Sequence, residues 1–217
     1  MLEIIHKVLT YDTHKSSDKP NSISATQLLN PLFKVKKILT NAKQDQGMID
    51  VKFKRSSAIG TAFHAHAAKA LEDDPDFVTE KYLEREITVD GVTYTISGSF
   101  DMLIRTLEGW ALADIKTAYG KERAEEQLAK DAMQMSIYRW LINGRYDIQD
   151  MAFTLFISQS NNVTESYPIT LRDEDYITNW IEEIIWSALS QTECDCHSAT
   201  KYNSCQYCQI VDCEERK

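Results

Sequence analysis

The chain has no cysteine before residue 194, only 7 glycines and 4 prolines, and no apolar run long enough to cross a bilayer. Each scarcity excludes something. Little Gly and Pro leaves no material for long disordered linkers. The opening stretch MLEIIHKVLTYDTHK has charge scattered through it and no apolar h-region, so the expectation is a cytoplasmic protein with no membrane contact. No G-x-x-x-x-G-K-[ST] loop occurs, which argues against an ATP-driven motor in this chain. Excess basic charge is missing as well: the net charge is −9, unfavourable for a general nucleic-acid binder. One basic run stands out against it, Lys34, Lys36, Lys37, Lys43, Lys52, Lys54 and Arg55, interrupted by Asp45 and Asp50. Taken alone that run reads as a solvated face. What remains is the composition of a soluble globular protein, 43% hydrophobic and 26% charged over 217 residues, enough for one good-sized domain with a small appendage.

Periodicity then orders the chain. Ser24 is a good N-cap for a helix over 25–41, with Pro31 marking a kink or a fresh start. Residues 42–57 read as a polar loop. Residues 58–74 form an Ala-rich helix on which Gly60, Thr61 and Ala68 share the His64 face and allow close approach. His64 and His66 lie about 200° apart around it, so at most one faces a sheet. A strand over 82–89 leads through the Asp90-Gly91 turn into a longer strand. Gly98 within that strand marks a bulge or a close approach. A helix over 122–143 stops at Asn143-Gly144, with Gln134 and Tyr138 on one face. Strands near 149–158 and 163–169 follow, and Asp173 caps a helix whose apolar stripe is Ile177, Trp180, Ile181, Ile184 and Ala188. The order predicts an α/β sandwich with a mixed β-sheet flanked by helices.

The most informative stretch is Val92 to Thr117. Strand alternation puts Val92, Tyr94, Ile96, Phe100, Met102 and Ile104 on one face and Asp101 on the other; Asp114 and Lys116 share a face of the next strand. Glu108-Gly109 is a plausible two-residue turn. Closing it with Leu107 and Trp110 sets Asp101 opposite Lys116; slipping back one residue at each end sets Asp101 opposite Asp114. Either register leaves the three charges within roughly 5–8 Å at Cβ on one face. Two acids beside a lysine are most simply reconciled by a divalent metal bridging the acids. A bound divalent metal acts as a Lewis acid and generates hydroxide near neutral pH. Carboxylates suit Mg²⁺ or Mn²⁺, and an imidazole ligand shifts the preference toward Mn²⁺. On spacing alone, a single helical histidine is more often structural than a ligand.

In order along the chain, G-x-x-x-H (Gly60 to His64), G-S-F-D (Gly98 to Asp101), D-I-K-T (Asp114 to Thr117) and Q-M-S-I-Y (Gln134 to Tyr138) resemble the RecB-like branch of the PD-(D/E)XK nucleases, CRISPR-associated exonucleases among them. Each motif alone is weak; four in order on helix, hairpin and helix are specific. The resemblance covers residues 24–158 and implies a PD-(D/E)XK nuclease-like core within a domain over 1–192. It implies Asp101 and Asp114 as metal-binding carboxylates, His64 as a further ligand and the Ile115 carbonyl completing the set. Lys116 would hold or activate the attacking water, and Gln134 and Tyr138 would line the DNA path. Glu86 would correspond to an acidic position on the preceding strand. The implied activity is Mg²⁺- or Mn²⁺-dependent DNA hydrolysis, exonucleolytic, in repair, recombination or phage- or CRISPR-related processing, with DNA ends and proteins of such complexes as partners. The alternatives are a non-cleaving DNA-binding module of the same fold and an enzyme acting on RNA.

All five cysteines fall in 193–217: Cys194, Cys196, Cys205, Cys208 and Cys213. Iron–sulfur members of the branch place one Cys before the His helix, and this chain has none there. C-x-C followed by C-x-x-C, with His197 nearby, fits Zn²⁺, a locally held iron–sulfur cluster or free thiols, and the three readings stay open.

Overall fold

The computed structural model describes residues 19–40, 51–120, 122–160 and 164–192, with the side chains of 51–57 excepted. The five cysteines, His197 and the side chains of Lys43, Lys52, Lys54 and Arg55 therefore lie outside the described residues. The strands are β1 (Ser22–Ser24), β2 (Phe77–Val89), β3 (Val92–Thr106), β4 (Gly109–Ala118), β5 (Met151–Ser158) and β6 (Thr164–Thr170). The helices are α1 (Ala25–Leu28), α2 (Leu32–Leu39), α3 (Val51–Ala70), α4 (Glu125–Ile142) and α5 (Glu174–Ser190). The sheet is mixed, ordered β1-β3-β4-β5-β6 with β2 also paired to β3. No described helix is long and apolar enough to cross a membrane.

The chain divides into two compact units, each discontinuous in sequence. One contains residues 16–49, 84–98 and 175–217. Here β1 pairs in parallel with the first half of β3, Ile23 level with Ile96. Ser24 caps α1 in a capping box with Gln27, whose side chain accepts the Ser24 N–H at 2.8 Å. The expected helix over 25–41 is two helices. Pro31, with ψ at 145°, stands at the N-cap of α2, because its ring cannot continue the preceding turn. Asp90 (φ 49°) and Gly91 (φ 77°) make the expected turn between β2 and β3, both with the positive φ that a type I′ turn requires. Helix α5 buries Ile177, Ile181, Ile185 and Ala188; Trp180 and Ile184 are half-buried, so the stripe follows i, i+4 more closely than expected. Lys36 of the basic run donates to the Gln191 carbonyl at 2.6 Å, and Lys37 stacks 5.3 Å over the Phe33 ring.

The other unit contains residues 1–15, 50–83 and 99–174, and all four family-like motifs converge on it, with only Gly98 falling at its border. Helix α3 begins at Val51 rather than at 58: V-K-F-K-R-S-S holds no Gly or Pro, and its basic residues, read as loop, are good helix formers. β4 and β5 run parallel, joined by the crossover helix α4, and β5 and β6 are antiparallel. One face of this sheet (Met102, Ala113 and Ile115, with Phe153, Leu155 and Ile157) packs against Ala67 of α3 and Leu71 just past its end. Helix α4 starts after Ala124, whose N–H is taken by the Gln127 side chain at 3.2 Å, and ends at Asn143 in the left-handed region (φ 50°).

The β3–β4 turn differs from the expected one. Thr106 pairs with Gly109, so the loop residues are Leu107 and Glu108. The Thr106 hydroxyl closes the turn, donating to the Gly109 carbonyl at 3.1 Å and accepting the Glu108 N–H at 3.2 Å. Gly109 is needed for another reason. Its φ is +130°, and a Cβ there would stand 2.7 Å from the Asp147 carbonyl oxygen, which approaches to accept the Trp110 N–H.

Candidate active site

The site begins where a ladder stops. β3 and β4 pair from Thr106–Gly109 as far as Met102–Ala113, and one step further Asp101 is level with Asp114. Of the two expected registers this is the slipped one. There the Asp101 carboxylate takes the place of a ladder partner: its Oδ2 accepts the Ile115 N–H at 2.7 Å. Its Oδ1 lies 3.2 Å from His64 Nδ1 on α3. Gly60, one turn earlier, brings α3 down onto the strand; a Cβ there would sit 3.1 Å from Thr117 Oγ1.

On the α4 side, Lys116 Nζ stands 2.8 Å from Asp114 Oδ2 and donates to Gln134 Oε1 at 3.1 Å. Gln134 Nε2 in turn donates to the Tyr138 hydroxyl at 2.8 Å. The i, i+4 spacing on α4 makes this relay possible, since both side chains project toward the same strand. Apart from that ammonium, the buried Oδ2 has no donor among the described residues. Alternation therefore gathers Asp114 and Lys116 as expected, whereas Asp101 reaches toward the helix on the other face. His66 is exposed, and Glu86 is exposed and lies in the other unit.

The electrostatics follow from burial. Asp114 is only 2% exposed, and that desolvation raises its pKa to about 6 against the opposing pull of Lys116, with Asp101 and Asp131 adding to the rise. Burial acts to lower the Lys116 pKa, but Asp114 beside it, with Asp131 and Asp101, outweighs this and holds the ammonium above its ordinary value. His64 is raised chiefly by its hydrogen bond to Asp101, against desolvation. Burial pushes the Tyr138 phenol well up, so it stays protonated.

These donors suit a hard divalent cation in kind: two carboxylates, one with a buried oxygen that only the Lys116 ammonium meets, and an imidazole. No three His, Cys, Asp or Glu side chains converge on one point among the described residues; His64 instead faces Asp101 as an ion-pair partner. Sequence reasoning missed Arg123 and Asp131, an ion pair next to this cluster whose acid is buried and whose arginine is partly buried. The available signal was an acid at i−3 from Gln134, on what must be a sheet-facing side of α4.

Among solved structures, the fold is similar to that in "Crystal structure of SSO0001", with a TM-score of 0.65 and 22% identity over 99% of this chain and 96% of that one. At that identity the likeness speaks for the fold. No curated protein matches the sequence. The family model described as the PD-(D/E)XK nuclease superfamily matches residues 4–213. With nearly the whole sequence matched and its acid–acid–lysine cluster at the end of a parted strand pair, the chain belongs to the PD-(D/E)XK nuclease superfamily, whose members are in general metal-dependent nucleases.

Proposed function

We propose that the chain is a DNA exonuclease of the RecB-like branch, dependent on Mg²⁺ or Mn²⁺ and serving repair, recombination or phage- or CRISPR-related DNA processing. The observation that carries this reading is the polar chain linking the motif residues: His64 to Asp101, Asp101 to the Ile115 amide, then Asp114 to Lys116, Gln134 and Tyr138.

Asp101, Asp114, His64 and the Ile115 carbonyl would hold the cation. When bound, it supplies Lewis-acid polarisation of the scissile phosphate and a water of lowered pKa. The chain's own residues do the rest. Lys116, cationic throughout the neutral range, donates a proton in a hydrogen bond to the attacking water or to a phosphate oxygen, and Gln134 aims it. Tyr138 stays neutral and fixes the Gln134 amide so that its oxygen, not its nitrogen, faces the ammonium. The acids repel a phosphate backbone until a cation offsets them, so DNA binding is itself cation-dependent. The proposed nuclease domain is 1–192; for the cysteines of 193–217, which lie outside the described residues, zinc, an iron–sulfur cluster and free thiols are the three readings, and elemental analysis with a visible absorption spectrum decides among them.

End-labelled single- and double-stranded DNA incubated with Mg²⁺ or Mn²⁺ tests the activity, with chelator as control. Asp114→Ala and Lys116→Ala should each lower cleavage by about 10²-fold or more while the fold persists. Undiminished cleavage in both variants would sink the mechanism. Binding without cleavage under every ion would mark a DNA-binding module instead.

A further inference from the structure

Beside the motif residues lies a polar group that the nuclease reading does not use. Asp131, 2% exposed, stands on α4 one turn before Gln134 and two before Tyr138, and meets β5 where Gln134 meets β4. Arg123 grips it with both arms of its fork: Nε donates to Oδ2 at 2.8 Å and Nη2 to Oδ1 at 2.7 Å. The Thr154 hydroxyl donates to the same Oδ2 at 3.4 Å, and Thr154 is level with Asp114 across the β4–β5 ladder. The Arg123 N–H donates to the Tyr167 hydroxyl at 3.2 Å, which anchors the loop between β4 and α4 to β6.

A buried ion pair of this kind roughly balances its own desolvation, so bracing α4 alone would be served as well by apolar side chains. Its position suggests another use. Asp131 is one turn from the Gln134 that accepts from Lys116, and it meets Thr154, which is level with Asp114, so a second buried carboxylate lies beside the one that Lys116 faces. Only the guanidinium separates the second from the first in charge. We propose that Arg123 and Asp131 are a positioning pair: the fork neutralises Asp131, and Lys116 consequently stays on Asp114 and Gln134. Arg123 is thus a positioning residue, and the inference rests on the nuclease reading.

The test uses the full chain as wild type, Arg123→Gln and the double variant Arg123→Gln/Asp131→Asn, measured for cleavage of end-labelled DNA, Mn²⁺ binding by calorimetry and thermal unfolding. With Arg123→Gln the ammonium moves toward Asp131: kcat falls about tenfold or more with KM held within about threefold. Mn²⁺ binds about threefold tighter or more, because Asp114 is released from its lysine. Adding Asp131→Asn removes the competing charge and returns both quantities to within about twofold of wild type. A wild-type kcat in Arg123→Gln overturns the proposal. So does joint loss of kcat, Mn²⁺ affinity and Tm that the second substitution fails to reverse, which marks a plain brace. If Arg123→Gln does not fold, Arg123→Lys replaces it: kcat within about threefold of wild type supports neutralisation by charge, and inactivation overturns it. If wild-type protein cleaves no DNA, the nuclease reading fails, and the Mn²⁺ measurement decides the positioning pair alone: tighter binding reversed by the double variant supports it, equal or weaker binding overturns it.

Discussion

Asp114 is a carboxylate held out of water with Lys116 as its one cationic neighbour at 2.8 Å, and in the metal-free protein its burial costs stability when it is charged. Its folded pKa, about 6, lies above the ordinary 3.8. An acid raised in this way binds its proton more tightly in the folded state, so its contribution is full below pH 3.8 and is lost as the pH rises through 6. His64 acts in the same sense: its raised pKa stabilises the fold below 6.5, and that contribution disappears as the pH climbs through the raised value. Thermal unfolding in chelator should therefore show wild type losing Tm between pH 4 and pH 7 relative to Asp114→Asn. Parallel pH profiles for the two proteins would contradict the burial described for this residue. The residue types here were legible from strand alternation and motif order. That Asp101 would turn toward His64 was not, because alternation assumes a ladder that continues, and this one ends at Met102.

Among the elements, α4 and the β3–β4 turn do the positioning. Gln134 accepts from Lys116 and donates to Tyr138, so Gln134→Ala leaves a partly buried ammonium short of an acceptor and a phenol short of its donor. The loss should be about tenfold in kcat, with little change in KM for DNA, read by steady-state cleavage. Gly109→Ala meets two obstacles, a φ of +130° and the Asp147 carbonyl oxygen at 2.7 Å. It should cost about 1–3 kcal/mol of stability, seen as a lower urea midpoint with an unchanged slope. The sequence pointed to Gly109 for its conformational freedom but placed it inside the loop. A chain crossing from a distant segment is what requires it, and a local reading holds no trace of Asp147. Helix α3 illustrates the same limit in reverse: its basic first turns look like loop, yet they are helical and contiguous with the Gly60 to His64 surface that packs on β4.

For the whole molecule, the order of the longer elements was readable from periodicity and turn signals, whereas the three-residue β1 was too short to leave a period and α4 buries a continuous run, Gln134 to Tyr138, where a stripe would be expected. The division into two units was not, since each unit is assembled from separate stretches and the long strand β3 passes from one into the other. Charge also acts at this scale. With a net charge of −9, affinity for DNA should be weak in chelator and rise when Mg²⁺ or Mn²⁺ is added, more than the same ionic strength of Na⁺ achieves; fluorescence anisotropy with Lys116→Ala avoids cleavage during the measurement. The same cations should raise Tm in proportion to the logarithm of their concentration above Kd, and more at pH 7 than at pH 5, where Asp114 is mostly protonated.

The parted strands at Asp101 have a spectroscopic consequence. The Ile115 amide donates to the Asp101 side-chain carboxylate on β3, where a ladder would supply a backbone carbonyl, so its proton reports on the electron density of Asp101. Any cation drawing on that carboxylate weakens the bond and shifts a single, assignable backbone resonance, in the absence of DNA and of any turnover. Substituting Asp101→Asn should move the same resonance and leave it insensitive to Mg²⁺, which turns one amide into a titration curve for the site.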